Sequence, residues 1–345
     1  MHLIPWLKLE NLTLVKQGEQ MFIPDKVPHA PCNLGDKRCV WIVVHSSGEN
    51  QDELIRKKVL DYKLELDNKG LTMKTKLDDP EQGSGDALFL LHSTAAGNKQ
   101  WRKLIEELSP YLKLIEPNLI GYGSTPHWTK QRLQTLNDKV ALIEVVFQRY
   151  EKFSIVGHSF GRSVAMIAAK NYSEKVKDLI LIETNPFYLL RQNYYWEAFD
   201  EAVALRDTIK TAVNTDAWEI AAAYLADYWN GAGSWQGMDQ QRQKKFIIAL
   251  KPNFHEWNCV IHKDTSLDEW KMVLPSYITI LSSDKTVNSL SSLVELFKTS
   301  MSSWSFRNYT GAGHIAPLTH PHIITPFINN LLLKNQPNSL SLLRW

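Results

Sequence analysis

Residues 153–169 read FSIVGHSFGRSVAMIAA, an apolar run that breaks at Gly157-His158-Ser159-Phe160-Gly161 and resumes with helical spacing. This pattern predicts a strand, a sharp turn and a helix. In a G-x-S-x-G turn placed this way, the central residue is held in strain with its side chain exposed at the carboxyl end of the sheet. The flanking glycines leave room where strand and helix nearly touch. The helix that follows aims its first amides at any negative charge developing beside Ser159.

Working outward, the chain alternates strand and helix from Ala87 onward. Ala87–Leu91 is a continuous apolar run, as in a buried central strand of a parallel sheet. Trp101–Tyr111 predicts a helix, Leu112–Ile115 a strand, Gln134–Tyr150 a helix, and Leu179–Ile182 the strand after the 153–169 unit. Parallel strands need crossovers, so the rhythm predicts an α/β fold with a doubly wound, mostly parallel sheet. Across 186–275 the rhythm stops, and the sequence predicts helices rich in aromatics: Trp196, Trp218, Tyr224, Trp229, Trp235, Trp257 and Trp270. Tyr277–Leu281 then restores a strand. The organisation expected is an extension over 1–60, a core over 61–185 and 276–345, and an inserted helical cap over 186–275.

Composition sets the outer bounds. With 345 residues, 44% hydrophobic and 22% charged, the chain is long enough for one large core with an insertion. A formal net charge of +2 without long like-charge blocks argues against a nucleic-acid partner. The first residues lack an uninterrupted apolar core, and no later run approaches membrane-spanning length, so a cytoplasmic protein without a membrane partner is expected. Cys32, Cys39 and Cys259 make no disulfide framework. His29, Cys32, Cys39 and His45 cluster in sequence but lack a tight C-x-x-C pair, so ordinary histidines and thiols are favoured over a metal site, and no cofactor is expected. Cys39–Val44 predicts a strand and Asp52–Leu60 a short helix. Tyr62–Lys76 alternates around Asn68-Lys69-Gly70, which predicts a hairpin.

Five stretches together resemble the α/β-hydrolase family. They are the turn at Ser159, LLHSTAAGNKQW at 90–101, PNLIGYGST at 117–125, LSSDKTV at 281–287 and GAGHIAPLTHP at 311–321. The resemblance runs from about Tyr62 to Leu333. It is greatest to capped bacterial hydrolases with a DYW-G-G-W stretch, here Asp227-Tyr228-Trp229 followed by Gly231, Gly233 and Trp235.

What the resemblance implies is a triad in the chain order serine, acid, histidine, with Ser159 as nucleophile and His314 as base. A serine hydroxyl is a weak nucleophile until an imidazole takes its proton, and that imidazole needs an acceptor on its other nitrogen. Asp284, in a D-x-x-V pattern after a strand, matches the usual acid position, although its loop is one residue short and lacks a glycine. Glu183, closing LILIET, is the alternative acid. The implied oxyanion donors are the amides of Phe160 and of Ser93 or Thr94. His158, Arg162, Trp229 and Trp235 are candidate substrate contacts. Three positions depart from the family pattern: Ser93 for glycine, Asn118 for aspartate, and Arg162 where a small residue is usual.

Serine at the turn excludes the alkyl-enzyme chemistry of dehalogenases and epoxide hydrolases, which requires an aspartate there. No phosphate-binding loop appears. Acyl transfer remains: cleavage of an ester or thioester of an apolar small molecule, with carbon-carbon hydrolysis or acyl transfer to another acceptor as alternatives. A catalytically weak ligand-binding protein is the alternative from another class.

Overall fold

The computed structural model of the chain describes residues 77–128, 132–263, 265–275 and 277–333. The chain divides into two units, 1–74 with 130–132 and 75–129 with 133–345. All elements below belong to the second. The expected strand at Cys39–Val44, helix at Asp52–Leu60, hairpin at Tyr62–Lys76 and the His29, Cys32, Cys39, His45 cluster lie outside the described residues.

The strands are β1 (Glu81–Gln82), β2 (Asp86–Leu91), β3 (Leu112–Ile115), β4 (Phe153–His158), β5 (Val176–Ile182), β6 (Ile278–Ser283) and β7 (Ser305–Tyr309). They form one seven-stranded sheet in the order β1-β3-β2-β4-β5-β6-β7. Only the β1–β3 pair is antiparallel. The architecture is thus the expected mostly parallel α/β sheet.

The helices are α1 (Arg102–Leu108), α2 (Leu136–Phe147), α3 (Phe160–Asn171), α4 (Tyr188–Gln192), α5 (Trp196–Asn214), α6 (Trp218–Asn230), α7 (Gln240–Leu250), α8 (Asn253–Ile261), α9 (Leu267–Val273), α10 (Asn288–Ser300), α11 (Ala316–Thr319) and α12 (Pro321–Leu332). The segment between β5 and β6 is therefore helical throughout its regular structure. Helix α2 begins one residue after Thr135 because Thr135 and Asp138 cap each other: Asp138 N donates to Thr135 Oγ1 at 3.3 Å and Thr135 N to Asp138 Oδ2 at 2.9 Å.

Side chains alternate across the sheet, and each face has its own core. Phe89, Leu91, Ile155, Leu179, Leu181 and Ile280 share one apolar cluster with residues of α2, α3 and α10, such as Val140, Phe147, Val164 and Phe297. Leu88, Leu90, Val156, Ile180, Ile182 and Leu281 belong to a second with Leu104 and Leu108 of α1 and Ile324 and Ile328 of α12. Burying each such side chain contributes roughly 1.5–3 kcal/mol before entropy is counted. This layered sheet is the rigid base that brings distant residues together at its carboxyl edge.

Candidate active site

The sheet register itself pairs two of the predicted residues. In the parallel ladder of β4 and β5, His158 stands opposite Ile182. The next residues along these strands, Ser159 and Glu183, therefore emerge side by side at the carboxyl edge. Both turn there with positive φ, 51° at Ser159 and 53° at Glu183. For residues other than glycine this backbone costs on the order of 1–3 kcal/mol each, and it persists only where the surroundings enforce it. They do so here: Ser159 N donates to Ile182 O at 2.9 Å and Glu183 N to Leu281 O at 3.0 Å. At Gly157 an added Cβ would lie 2.6 Å from Arg162 Cα, so this approach of strand and helix needs a glycine.

His314 joins the two. Its Nε2 lies 3.0 Å from Ser159 Oγ and its Nδ1 3.2 Å from Glu183 Oε2. All three residues are buried. Glu183 is held on both oxygens, since Ser283 N donates to Oε1 at 2.6 Å and Thr286 Oγ1 to Oε2 at 2.7 Å. The sequence favours Asp284 over Glu183, but it is Glu183 that the structure brings to His314, and the Asp284 side chain is exposed. The register explains why. Ile182 pairs with Leu281, so Glu183 is level with Ser282, whereas Asp284 lies beyond the end of β6. The family model described as "Alpha/beta hydrolase family" matches residues 88–325.

The chain belongs to the α/β-hydrolase family. Among curated relatives, it is similar to a pimeloyl-[acyl-carrier protein] methyl ester esterase of Nitrosomonas europaea, 28% identical over 124 residues, covering 36% of this chain and 47% of that protein. It is also similar to a 2-hydroxy-6-oxo-2,4-heptadienoate hydrolase of Pseudomonas putida, 27% identical over 115 residues, covering 32% and 41%. The chain thus spans less than half the length of these relatives. A solved hydrolase of Oleispira antarctica superposes with a TM-score of 0.59 at 18% identity, covering 76% of this chain and 96% of that one, a likeness of fold.

In this α/β-hydrolase a small cleft opens above Ser159, lined among others by Thr94, Phe160, Asn185, Trp229, Asn253 and Glu256. Trp229 of α6 stacks on the His314 ring, with centroids 3.8 Å apart and planes at 19°. The loop after β2 enters from the other side. Its Ser93 is not a free donor, because Ser93 N donates to Gln100 Oε1 at 3.2 Å. The amides of Thr94 and Phe160, both at the cleft, meet no acceptor among the described residues.

Three candidate substrate contacts are placed elsewhere. Trp235 is buried and packs near Phe246 at 6.3 Å between centroids. His158 is fully buried, and its Nε2 donates to the backbone carbonyl of His314 at 2.8 Å, so it anchors the loop that carries His314. Burial, then the neighbouring His314, holds the His158 pKa well below the ordinary histidine value. His92, at the end of β2, is also wholly buried. Its Nδ1 donates to Ser93 O at 2.8 Å, its Nε2 accepts from Leu119 N at 3.1 Å, and burial lowers its pKa from 6.5 to about 4. Both rings therefore take a proton more readily when unfolded than when folded. Stability from these groups is full above pH 6.5 and is lost as the pH falls toward 4, on the order of 3 kcal/mol for His92 alone. The urea midpoint is expected to drop steeply between about pH 7 and pH 4.5; a flat profile would contradict these protonation states.

Arg162, the third candidate contact, does not line the cleft. It is 0% exposed, and its Nε, Nη1 and Nη2 have no acceptor among the described residues. Its guanidinium carbon lies 5.2 Å from the Phe297 ring centroid. Burial lowers its pKa from 12.5 to about 9, with Tyr188 and Glu183 opposing the shift, so the charge remains at neutral pH. A buried charge without hydrogen bonds is costly, and replacing one by an apolar side chain of similar length is often stabilising. Arg162→Met is expected to stabilise the fold by roughly 1–4 kcal/mol, read as a raised urea midpoint. A lowered midpoint would show that the guanidinium is held by a partner.

Residues that sequence reasoning did not single out complete the cleft. Lys139 of α2 and Glu256 of α8 form a fully buried ion pair at 3.7 Å. Glu256 also accepts from Thr94 Oγ1 at 2.6 Å and Tyr122 OH at 3.1 Å, while Tyr122 OH accepts from Ala95 N at 3.1 Å. The loop bearing Thr94 is thereby tied to α8. The available signal was Asn253 and Glu256, polar residues three apart on α8, a spacing that places them on one face.

Proposed function

We propose that the protein is a serine hydrolase that cleaves a carboxylic ester or thioester of an apolar small molecule through an acyl-enzyme on Ser159. The observation that carries this reading is the continuous relay Ser159 Oγ, His314, Glu183 at 3.0 and 3.2 Å. In the first step His314 Nε2 takes the hydroxyl proton as Ser159 Oγ attacks the acyl carbon, and Glu183 stabilises the imidazolium through Nδ1–H. The oxyanion so formed is met by the amides of Phe160 and Thr94, the first reinforced by the α3 dipole. The imidazolium then returns its proton to the leaving alcohol or thiol, and water repeats the sequence to free the acid.

The helices between β5 and β6 act as a cap. Trp229 on the face of His314 excludes water and favours the cationic ring, and Phe187, Leu225 and Val260 supply an apolar wall. The assembled relay favours turnover over the reading as a ligand-binding protein. The relatives named as a methyl ester esterase and as a 2-hydroxy-6-oxo-2,4-heptadienoate hydrolase agree with hydrolytic chemistry in the family. The test is a stopped-flow trace with an activated ester such as p-nitrophenyl butanoate. A burst of p-nitrophenol stoichiometric with protein, absent from Ser159→Ala, is expected. Absence of turnover in the intact protein would overturn the reading.

A further inference from the structure

The cleft contains polar groups that acyl transfer does not use. Asn253, at the start of α8, and Glu256, one turn on, both line it. Asn253 Oδ1 accepts from Trp257 Nε1 at 2.7 Å. An indole N–H only donates, so the amide oxygen is fixed on that side and the Nδ2 group is presented on the other, with no hydrogen bond among the described residues. Glu256 is its complement, an acceptor. Its carboxylate accepts from Thr94 Oγ1 and Tyr122 OH and pairs with Lys139 at 3.7 Å, which leaves acceptor capacity among its roughly four lone-pair sites. Asn185 also lines the cleft, and its Oδ1 takes the Ser163 hydroxyl at 3.0 Å. An unfilled donor and an unfilled acceptor one helical turn apart thus face an otherwise largely apolar space.

We propose that the substrate carries a hydroxyl group, which accepts from Asn253 Nδ2 and donates to Glu256; this deepens, and rests on, the ester-hydrolase reading. The alternatives fit less well. A carboxylate would suit Asn253 but meet the Glu256 charge, whose buried cation Lys139 is already committed. An ammonium would be brought toward Lys139. A ketone would accept from Asn253 and leave Glu256 unfilled. Of these groups the hydroxyl alone completes both partners, and an alkyl group in its place would leave two desolvated polar groups unmatched.

The test compares isosteric ester pairs differing by hydroxyl against methyl. Ethyl 3-hydroxybutanoate against ethyl 3-methylbutanoate places the hydroxyl on the acyl side, and 2-hydroxyethyl butanoate against propyl butanoate places it on the alcohol side. In the wild type, at least about a tenfold higher kcat/KM for the hydroxyl member of one pair is expected. That ratio is independent of how much protein is folded. It should fall to within about twofold of unity in Asn253→Leu, which removes the donor. It should fall partway in Trp257→Phe, which keeps Asn253 but frees its amide to turn. No preference in either pair, or a preference that survives Asn253→Leu, overturns the hydroxyl subsite while cleavage of the alkyl members leaves the hydrolase reading standing. Failure to cleave any of the four esters removes both.

Discussion

Glu183→Gln is expected to lower kcat by about 10⁴-fold, while Asp284→Asn leaves it within about twofold. The asymmetry follows from the hydrogen bonds that hold the carboxylate. Ser283 N must donate to whatever atom replaces Oε1, so the amide nitrogen of the glutamine is forced into the Oε2 position. There it faces His314 Nδ1 and Thr286 Oγ1. The hydroxyl of Thr286 adapts by rotating. The imidazole adapts only by changing tautomer: Nδ1 becomes the acceptor, Nε2 carries the proton, and the ring no longer has a lone pair for the hydroxyl of Ser159. The substitution changes almost no volume and leaves the fold intact, so the loss appears in kcat with little change in KM. Asp284 is exposed and its removal disturbs none of these contacts. Steady-state kinetics on the two variants decide the point, and equal losses in both would contradict the assignment.

Ser159→Ala should have the largest effect of any single change, a loss of kcat on the order of 10⁶-fold. Without Oγ there is no covalent route, and any residual turnover rests on His314 activating water beside the oxyanion amides. Because the relay acts as a unit, Ser159→Ala combined with Glu183→Gln should be scarcely slower than Ser159→Ala alone. A multiplicative loss would mean that Glu183 acts outside the relay. The alanine variant also removes no core packing, and its stability should equal that of the wild type or exceed it, since the positive φ at residue 159 strains both side chains alike.

How much of this was legible in the sequence depends on the range of the interactions involved. The unit β4, turn, α3 was readable because its signals are local: a strand-length apolar run, two glycines around one serine, and helical spacing afterward. His314 was readable from the glycine-rich loop that carries it. The sequence favoured Asp284 while the structure brings Glu183 to His314, and the difference has a physical reason. Glu183 and Asp284 both follow apolar strands, and only the register of β5 against β4 and β6 shows which carboxylate is level with Ser159. Likewise, burial of Arg162 and His158 is a property of what α10 and the His314 loop pack against them. Lys139 comes from α2, far in the chain from Asn253 and Glu256 on α8, and nothing local marks it as part of their site.

The central claim is that Ser159 is activated by His314 in the free protein. It is tested most directly by intact-protein mass spectrometry after exposure to a fluorophosphonate, on wild type and Ser159→Ala. The account predicts a single adduct on the wild type that is absent from Ser159→Ala and forms far more slowly on Glu183→Gln. No adduct on the wild type, or one that persists without Ser159, would contradict it.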